Sequence, residues 1–201
     1  MRSTLLLIST LAFSMAGCGD DEEPSDAGST KSASATITPT VPAAAGAGGA
    51  GAGGAGAGGA PAAPNTATGT ITFAPEGSKV KAVVTISDAP PGVHGFHIHV
   101  NGDCSNGGDA AGGHWDPATT AMHGAWADPV HHGGDIGNIT ISADGTGTTT
   151  VTTDAWSIGT GAANDVVGHA VILHANPDDF TTQPTGAAGA RIACGIIQVS
   201  P

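Results

Sequence analysis

From residue 65 onward, apolar and polar residues alternate in short runs broken by glycine, proline, aspartate and asparagine. A period of two puts successive side chains on opposite faces of an extended backbone, as in half-buried strands. The pattern predicts strands near 69–73, 79–87, 93–100, 138–142, 147–153, 167–174 and 191–199, with a hairpin turn at Ala-Asp-Gly, 143–145. An earlier alternating segment at 32–41, rich in Thr and Ile, reads as a first strand. Seven or eight strands and no amphipathic helix indicate an all-β antiparallel sandwich or barrel. Two connections, 101–137 and 175–190, are longer than such a domain needs, which marks them as functional loops.

Composition narrows this picture. At 201 residues the chain holds one ordinary domain, and 33 glycines with 13 prolines leave little room for long helices. Aromatic residues make up 3% and tyrosine is absent, so the core must be built from Val, Ile, Ala and Leu. Five basic against 17 acidic residues give a formal charge of −12, which excludes binding to nucleic acid through its phosphates. Nine histidines stand out beside so few basic residues, and neutral imidazole is the commonest metal ligand.

The N-terminus reads as an address. Residues 1–17 carry Arg2, then the apolar stretch LLLISTLAF, then small residues, as a secretory signal peptide does. Its end, M-A-G-C, resembles a lipobox in which Cys18 is lipidated, attaching the exported protein to a membrane surface; ordinary cleavage after Ser14-Met15-Ala16 is the alternative. Residues 18–31 are acidic and nearly devoid of apolar side chains, and are expected to act as a disordered tether. The Gly/Ala run at 42–64 is either linker or an insertion within the first hairpin, since loop-closure cost grows only logarithmically with length. With Cys18 taken by lipid, Cys104 and Cys194 remain as an even pair in an oxidising compartment. Joining them would stabilise the fold by on the order of 4 kcal/mol in the chain-entropy account.

Chemistry concentrates in the histidines. His97 and His99 lie two apart on a predicted strand, so their rings share a face. Alone, an H-x-H pair is more often packing than a site. The next loop adds His114, His123 and His132 at equal gaps of nine, Asp135 follows three residues later, and His174 ends the strand VVGHAVILH. Six imidazoles and a carboxylate can serve more than one ion; copper and zinc both suit imidazole, and the carboxylate suits zinc.

Together GFHIHVNGDC, AGGHWDP, HHGGDIGN, VILHANPDDF and GARIACGII resemble the signatures of copper/zinc superoxide dismutase in its bacterial exported form, securely over residues 67–201. The resemblance implies an eight-stranded Greek-key β-barrel that converts superoxide to oxygen and hydrogen peroxide. It matches His97, His99, His114 and His174 to copper, and His114, His123, His132 and Asp135 to zinc, with His114 as a shared imidazolate that also returns a proton to product. Asp178 matches a carboxylate that orients His97 and His123, Arg191 the anion-binding arginine beside copper, and Cys104–Cys194 a disulfide tying the loop to the last strand. Trp115 and Asp116 depart from the Phe and Asn usual in the family, at positions that do not touch metal. The alternative is a copper/zinc carrier or sensor on the same fold without turnover.

The remaining residues receive plainer readings. His94 is expected to bond backbone beneath the site, His131 to face solvent, and His169 to lie on a strand exterior. Trp126 and Trp156 are expected to pack, and Gly133, Gly134 and Gly137 to allow a tight backbone around Asp135. Because 175–190 lacks lysine, attraction of superoxide must rest on the metal and Arg191 at short range, with a weak salt dependence. Homodimerisation is left open.

Overall fold

The computed structural model describes residues 30–41, 65–120 and 122–201. Strand β1 (Ala33–Pro39) buries Ala33, Ala35 and Ile37, and β2 (Thr68–Glu76) buries Ile71 and Phe73. Strand β3 (Lys79–Ser87) buries Val80, Ala82, Val84 and Ile86. Each inward set recurs at every second residue, as the pleat requires. The chain continues through β4 (Gly92–His99), β5 (Gly137–Ile141), β6 (Gly147–Thr153), β7 (Ala170–His174), β8 (Arg191–Ile196) and β9 (Gln198–Val199).

Among the described residues these strands pair antiparallel throughout, in the order β5-β4-β7-β8-β1-β2-β3-β6, with β9 also on β1. The ends of that order, β5 and β6, are joined by the turn at Ala-Asp-Gly, where Ser142 N–H donates to Thr146 O at 2.8 Å. The sheet thereby curls into a nearly closed Greek-key barrel, the all-β architecture expected. Its interior is filled by Phe73, Phe96, Ile98, Ile139, Val171 and Leu173, and Trp156 packs edge-on to Phe73 at 5.8 Å.

Several boundaries differ from the sequence expectation. The last strand is not continuous over 191–199: it breaks at Ile197, a buried residue whose N–H donates to His169 O at 2.9 Å. Strand β7 starts at Ala170 rather than 167, after Gly168 at φ +89°. His169 therefore precedes the strand, and its ring lies 4.7 Å from that of Trp115. The first long loop contains a 3-10 segment, Asn106–Ala111, kinked at Gly107 and Gly108.

Strand β1 pairs with β2 over Ala33 to Ile37, so residues 42–64 fall in sequence between two paired strands. That run, residues 1–17 read above as a leader, Cys18 and most of the segment read as a tether lie outside the described residues.

Strand β4 departs from alternation, because its last six residues, His94 to His99, are all buried. Phe96 and Ile98 face the barrel interior, whereas His97 and His99 point outward beneath the two long loops. A strand covered on both faces loses its polar side, and here the second cover conceals imidazoles.

Candidate metal centre

Asp135 organises one half of the site. Its Oδ2 accepts backbone N–H groups of Gly124 at 3.1 Å and His132 at 2.8 Å, which fixes the carboxylate. Its Oδ1 then faces three ring nitrogens: His114 Nδ1 at 2.6 Å, His123 Nδ1 at 3.0 Å and His132 Nδ1 at 3.3 Å. His123 Nδ1 is close but out of line for a hydrogen bond, so this buried atom has no partner. Four donor atoms around a zinc-sized ion with bonds of about 2.0 Å stand about 3.3 Å apart, a spacing this cluster approaches.

The other half is built on β4 and β7. His99 Nδ1–H donates to Gly112 O at 2.9 Å and His174 Nδ1–H to Gly189 O at 3.2 Å. Both bonds put the proton on Nδ1, leaving the Nε2 lone pairs facing each other at 3.3 Å. Two lone pairs at that distance repel unless a cation lies between them. His97 Nδ1 and His114 Nε2 are buried and likewise without partner. Among the described residues two groups can hold a metal ion: His97, His99, His114 and His174, and His114, His123, His132 and Asp135, the donor atoms of each lying within 4.8 Å of one another. His114 belongs to both. Unpartnered nitrogens in two convergent sets are what a pair of imidazole-bound cations requires, so these residues fit copper and zinc.

For three of the rings protonation favours the same reading, whereas His123, raised against its burial to about 9 by Asp135 and Asp178, must give up a proton to coordinate. Burial above all holds the imidazoles of His99, His174 and His114 down to about 2, 3 and 4, although Asp135 opposes it at His114. At neutral pH their lone pairs are free to coordinate. Burial would raise the Asp135 carboxyl, but His114 and His123 outweigh it and keep the group ionised.

Asp178 ties the halves together. Its Oδ2 accepts from His97 Nε2–H and its Oδ1 from His123 Nε2–H, each at 2.8 Å. Both donors are Nε2, so the Nδ1 of each ring is turned toward the metal side, as outer carboxylates commonly dictate. His94 bonds backbone beneath the site, to His174 O at 2.8 Å and Pro90 O at 2.9 Å. His131 lies outside both groups, its Nδ1 on His132 O at 2.7 Å and its ring 5.0 Å from Trp126. Trp115 is buried with the barrel core, and Asp116 accepts from Thr120 Oγ1. Gly134 permits a close crossing, since a Cβ there would sit 2.2 Å from Ile98 O.

Three supporting residues escaped the sequence reading. Asn138 Nδ2 donates to Asp178 O at 2.9 Å and its Oδ1 accepts Asp178 N–H at 2.8 Å, a reciprocal clamp. Gln183 does the same to the His123 backbone, at 2.8 Å in both directions. Gly186, at φ +62°, leaves room for Asp178: a Cβ would stand 1.9 Å from Asp178 Oδ1. Asn138 falls inside HHGGDIGN and was at hand there; single amides and glycines in a loop carry no comparable signal.

Arg191 opens β8 opposite His174 in the β7–β8 register. Its Nη1 donates to Gly108 O at 2.7 Å and its Nη2 to Gly112 O at 2.6 Å. Cys104 and Cys194 form a disulfide with Cα atoms 5.7 Å apart, fastening the loop that carries those carbonyls to β8.

Fold and site together define a Greek-key β-barrel carrying two adjoining groups able to hold metal ions, with His114 common to both. Comparison with known proteins agrees: the family described as copper/zinc superoxide dismutase matches residues 67–197. Superoxide dismutase [Cu-Zn] 2 of Brassica juncea is 44% identical over 136 residues, covering 64% of this chain and 88% of that protein. The crystal structure of the clock protein EA4 superposes with a TM-score of 0.65 at 29% identity, over 86% of this chain and 97% of that one. This chain belongs to the copper/zinc superoxide dismutase family. It is an oxidoreductase that dismutates superoxide with copper and zinc.

Proposed function

We propose that His97, His99, His114 and His174 hold copper and that His114, His123, His132 and Asp135 hold zinc, the His114 ring being shared. The observation that carries this assignment is the membership of His114 in both groups, with its Nε2 buried and without a partner. Four imidazoles suit copper, and the set with a carboxylate suits zinc. When bound, copper supplies one-electron oxidation and reduction, and zinc a fixed positive charge.

The chain's own residues do the rest. Arg191, its fork aimed by two carbonyls, draws the superoxide anion to the copper side and orients it with its remaining N–H groups. His114 Nε2 holds a proton when its lone pair is not engaged and passes it to the reduced oxygen product. Asp178 and Asp135 keep the neighbouring rings in place, so that the exchange costs little reorganisation. Over a cycle two superoxide anions and two protons become oxygen and hydrogen peroxide.

The test is metal content and superoxide consumption of the purified protein. Equal copper and zinc per chain with rapid turnover is expected, and His114→Ala should lose turnover; stoichiometric metal without turnover would mark a carrier instead.

We also propose that the protein is exported and held at a membrane surface by lipid on Cys18, outside the cytoplasm, which its sequence from 1 to 31 supports. Cys18→Ser should release it from the membrane fraction. A homodimer is the third proposal. Exposed Val100 and Ile196 favour it, and their backbones are linked through one residue: His169, whose Nδ1 donates to Val100 O, accepts Ile197 N–H. Sedimentation should give twice the chain mass, and Ile196→Glu should halve it.

A further inference from the structure

Arg191 makes one contact that the chemistry above does not use. The 3-10 segment Asn106–Ala111 packs on it so closely that a Cβ on Gly108 would lie 3.3 Å from the Arg191 Cβ. Gly108 and Gly112 take one N–H from each terminal nitrogen. Between them in sequence stands Asp109, whose Oδ1 lies 3.8 Å from Arg191 Nε. That is an ion-pair distance, too long for a hydrogen bond. The two groups differ sharply in exposure: the Asp109 side chain is 83% exposed and that of Arg191 19%.

Nothing in this arrangement needs a carboxylate for support. Asp109 makes its structural bond through the backbone, its carbonyl accepting Gly112 N–H at 3.2 Å. Its side chain is a negative charge at the solvent side of the group that must attract an anion. The third face of the guanidinium, Nε, is thereby turned to an acid of the chain's own. The chain has few cations to offset this, since apart from Arg191 the basic residues after the Gly/Ala run are Lys79 and Lys81.

We propose that Asp109 is a positioning residue that acts through Arg191 to restrain anion capture: it competes with small anions for the guanidinium and lowers the rate at which superoxide enters. The inference rests on Arg191 being the anion-binding group proposed above. Because the carboxylate is open to water, its effect is a few-fold and not orders of magnitude. It also weakens as salt shortens the screening length to about 10 Å at 0.1 M.

The experiment compares wild type with Asp109→Asn, which keeps the side-chain shape, and Asp109→Lys, both fully loaded with copper and zinc. Superoxide consumption is followed by pulse radiolysis across ionic strength. At low salt Asn should be about threefold faster and Lys faster still, with the three converging at high salt. A second readout needs no metal. The Arg191 Nε–H resonance, readily assigned because the chain's other arginine is Arg2, is titrated with inorganic phosphate in the metal-free protein. Asp109→Asn should tighten phosphate binding several-fold. Unchanged rates and phosphate affinity in both variants would overturn the proposal. So would a gain that persists at high salt, because that reports altered shape and not charge. Arg191→Gln separates the two levels. If it too leaves rate and phosphate binding untouched, the role of Arg191 fails; if it impairs them while the Asp109 variants change nothing, only Asp109 fails.

Discussion

Arg191 and His99 meet on a single atom, the carbonyl oxygen of Gly112, which accepts Arg191 Nη2–H at 2.6 Å and His99 Nδ1–H at 2.9 Å. The group proposed to capture the anion and a proposed copper ligand are therefore placed by the same peptide. Sequence separates them by more than ninety positions, and the loop held by Cys104–Cys194 brings them together.

Replacing Arg191 should cost rate without costing metal. Arg191→Gln is expected to lower kcat/KM by roughly one to two orders of magnitude, as loss of a preorganised charged donor does. Arg191→Lys should recover part of it, because the charge returns but the two-carbonyl fork does not. Copper and zinc content should stay unchanged in both, checked by elemental analysis beside the kinetics.

Asp178 should govern metal retention. Asp178→Ala removes the acceptor of both His97 and His123, freeing two rings to rotate. Such outer partners are worth about 10–100-fold in affinity. Competition with a chelator should show a loss of that size, with the barrel intact by circular dichroism.

Gly186→Ala should resemble the Asp178 change while leaving the carboxylate present. The new methyl would collide with Asp178 Oδ1 and lie 2.6 Å from His123 Nε2, on a backbone at φ +62°. Strain at such a position costs on the order of 1–3 kcal/mol. Urea unfolding should report that loss, and zinc should leave before copper because His123 moves.

In the metal-free protein, stability should peak near pH 6.5. The unfolded chain protonates histidine near 6.5, whereas the folded state protonates His114, His174 and His99 only at about 4, 3 and 2. The unfolded state binds more protons over that window, so stability falls as pH drops below 6.5. Asp135 and Asp178, held below the usual carboxylate range against burial by their histidine partners, add a further loss below 3.8. His123 has the opposite sign. Burial would lower it, but Asp135 and Asp178 raise it to about 9, so its contribution is complete below 6.5 and lost as pH rises through 9. If His123 holds zinc as proposed, loading with zinc would replace that proton, and the alkaline decline should vanish. Denaturant titrations across pH, with and without metal, check both limbs.

Period-two alternation located most of the strands and offered the first one as an alternative to linker, because a half-buried strand writes its inward face into every second residue; β7, buried along its whole length, shows instead as a short apolar run between turn residues. Local spacing drew attention to the candidate ligands, with His97 and His99 two apart, three histidines nine apart and Asp135 three beyond His132, but it was the family resemblance that sorted them into two sets. What alternation could not convey was the burial of β4 on both faces, since His97 and His99 look like a solvent face until the long loops are laid over them. The break at Ile197, the clamps by Asn138 and Gln183, the room left by Gly186 and the meeting of Asp109 with Arg191 were decided only by tertiary structure. Each depends on segments distant in the chain approaching within a few ångströms. A one-dimensional pattern records which side chains want burial or a cation; it does not record which backbone carbonyl, or which acid, will stand beside them.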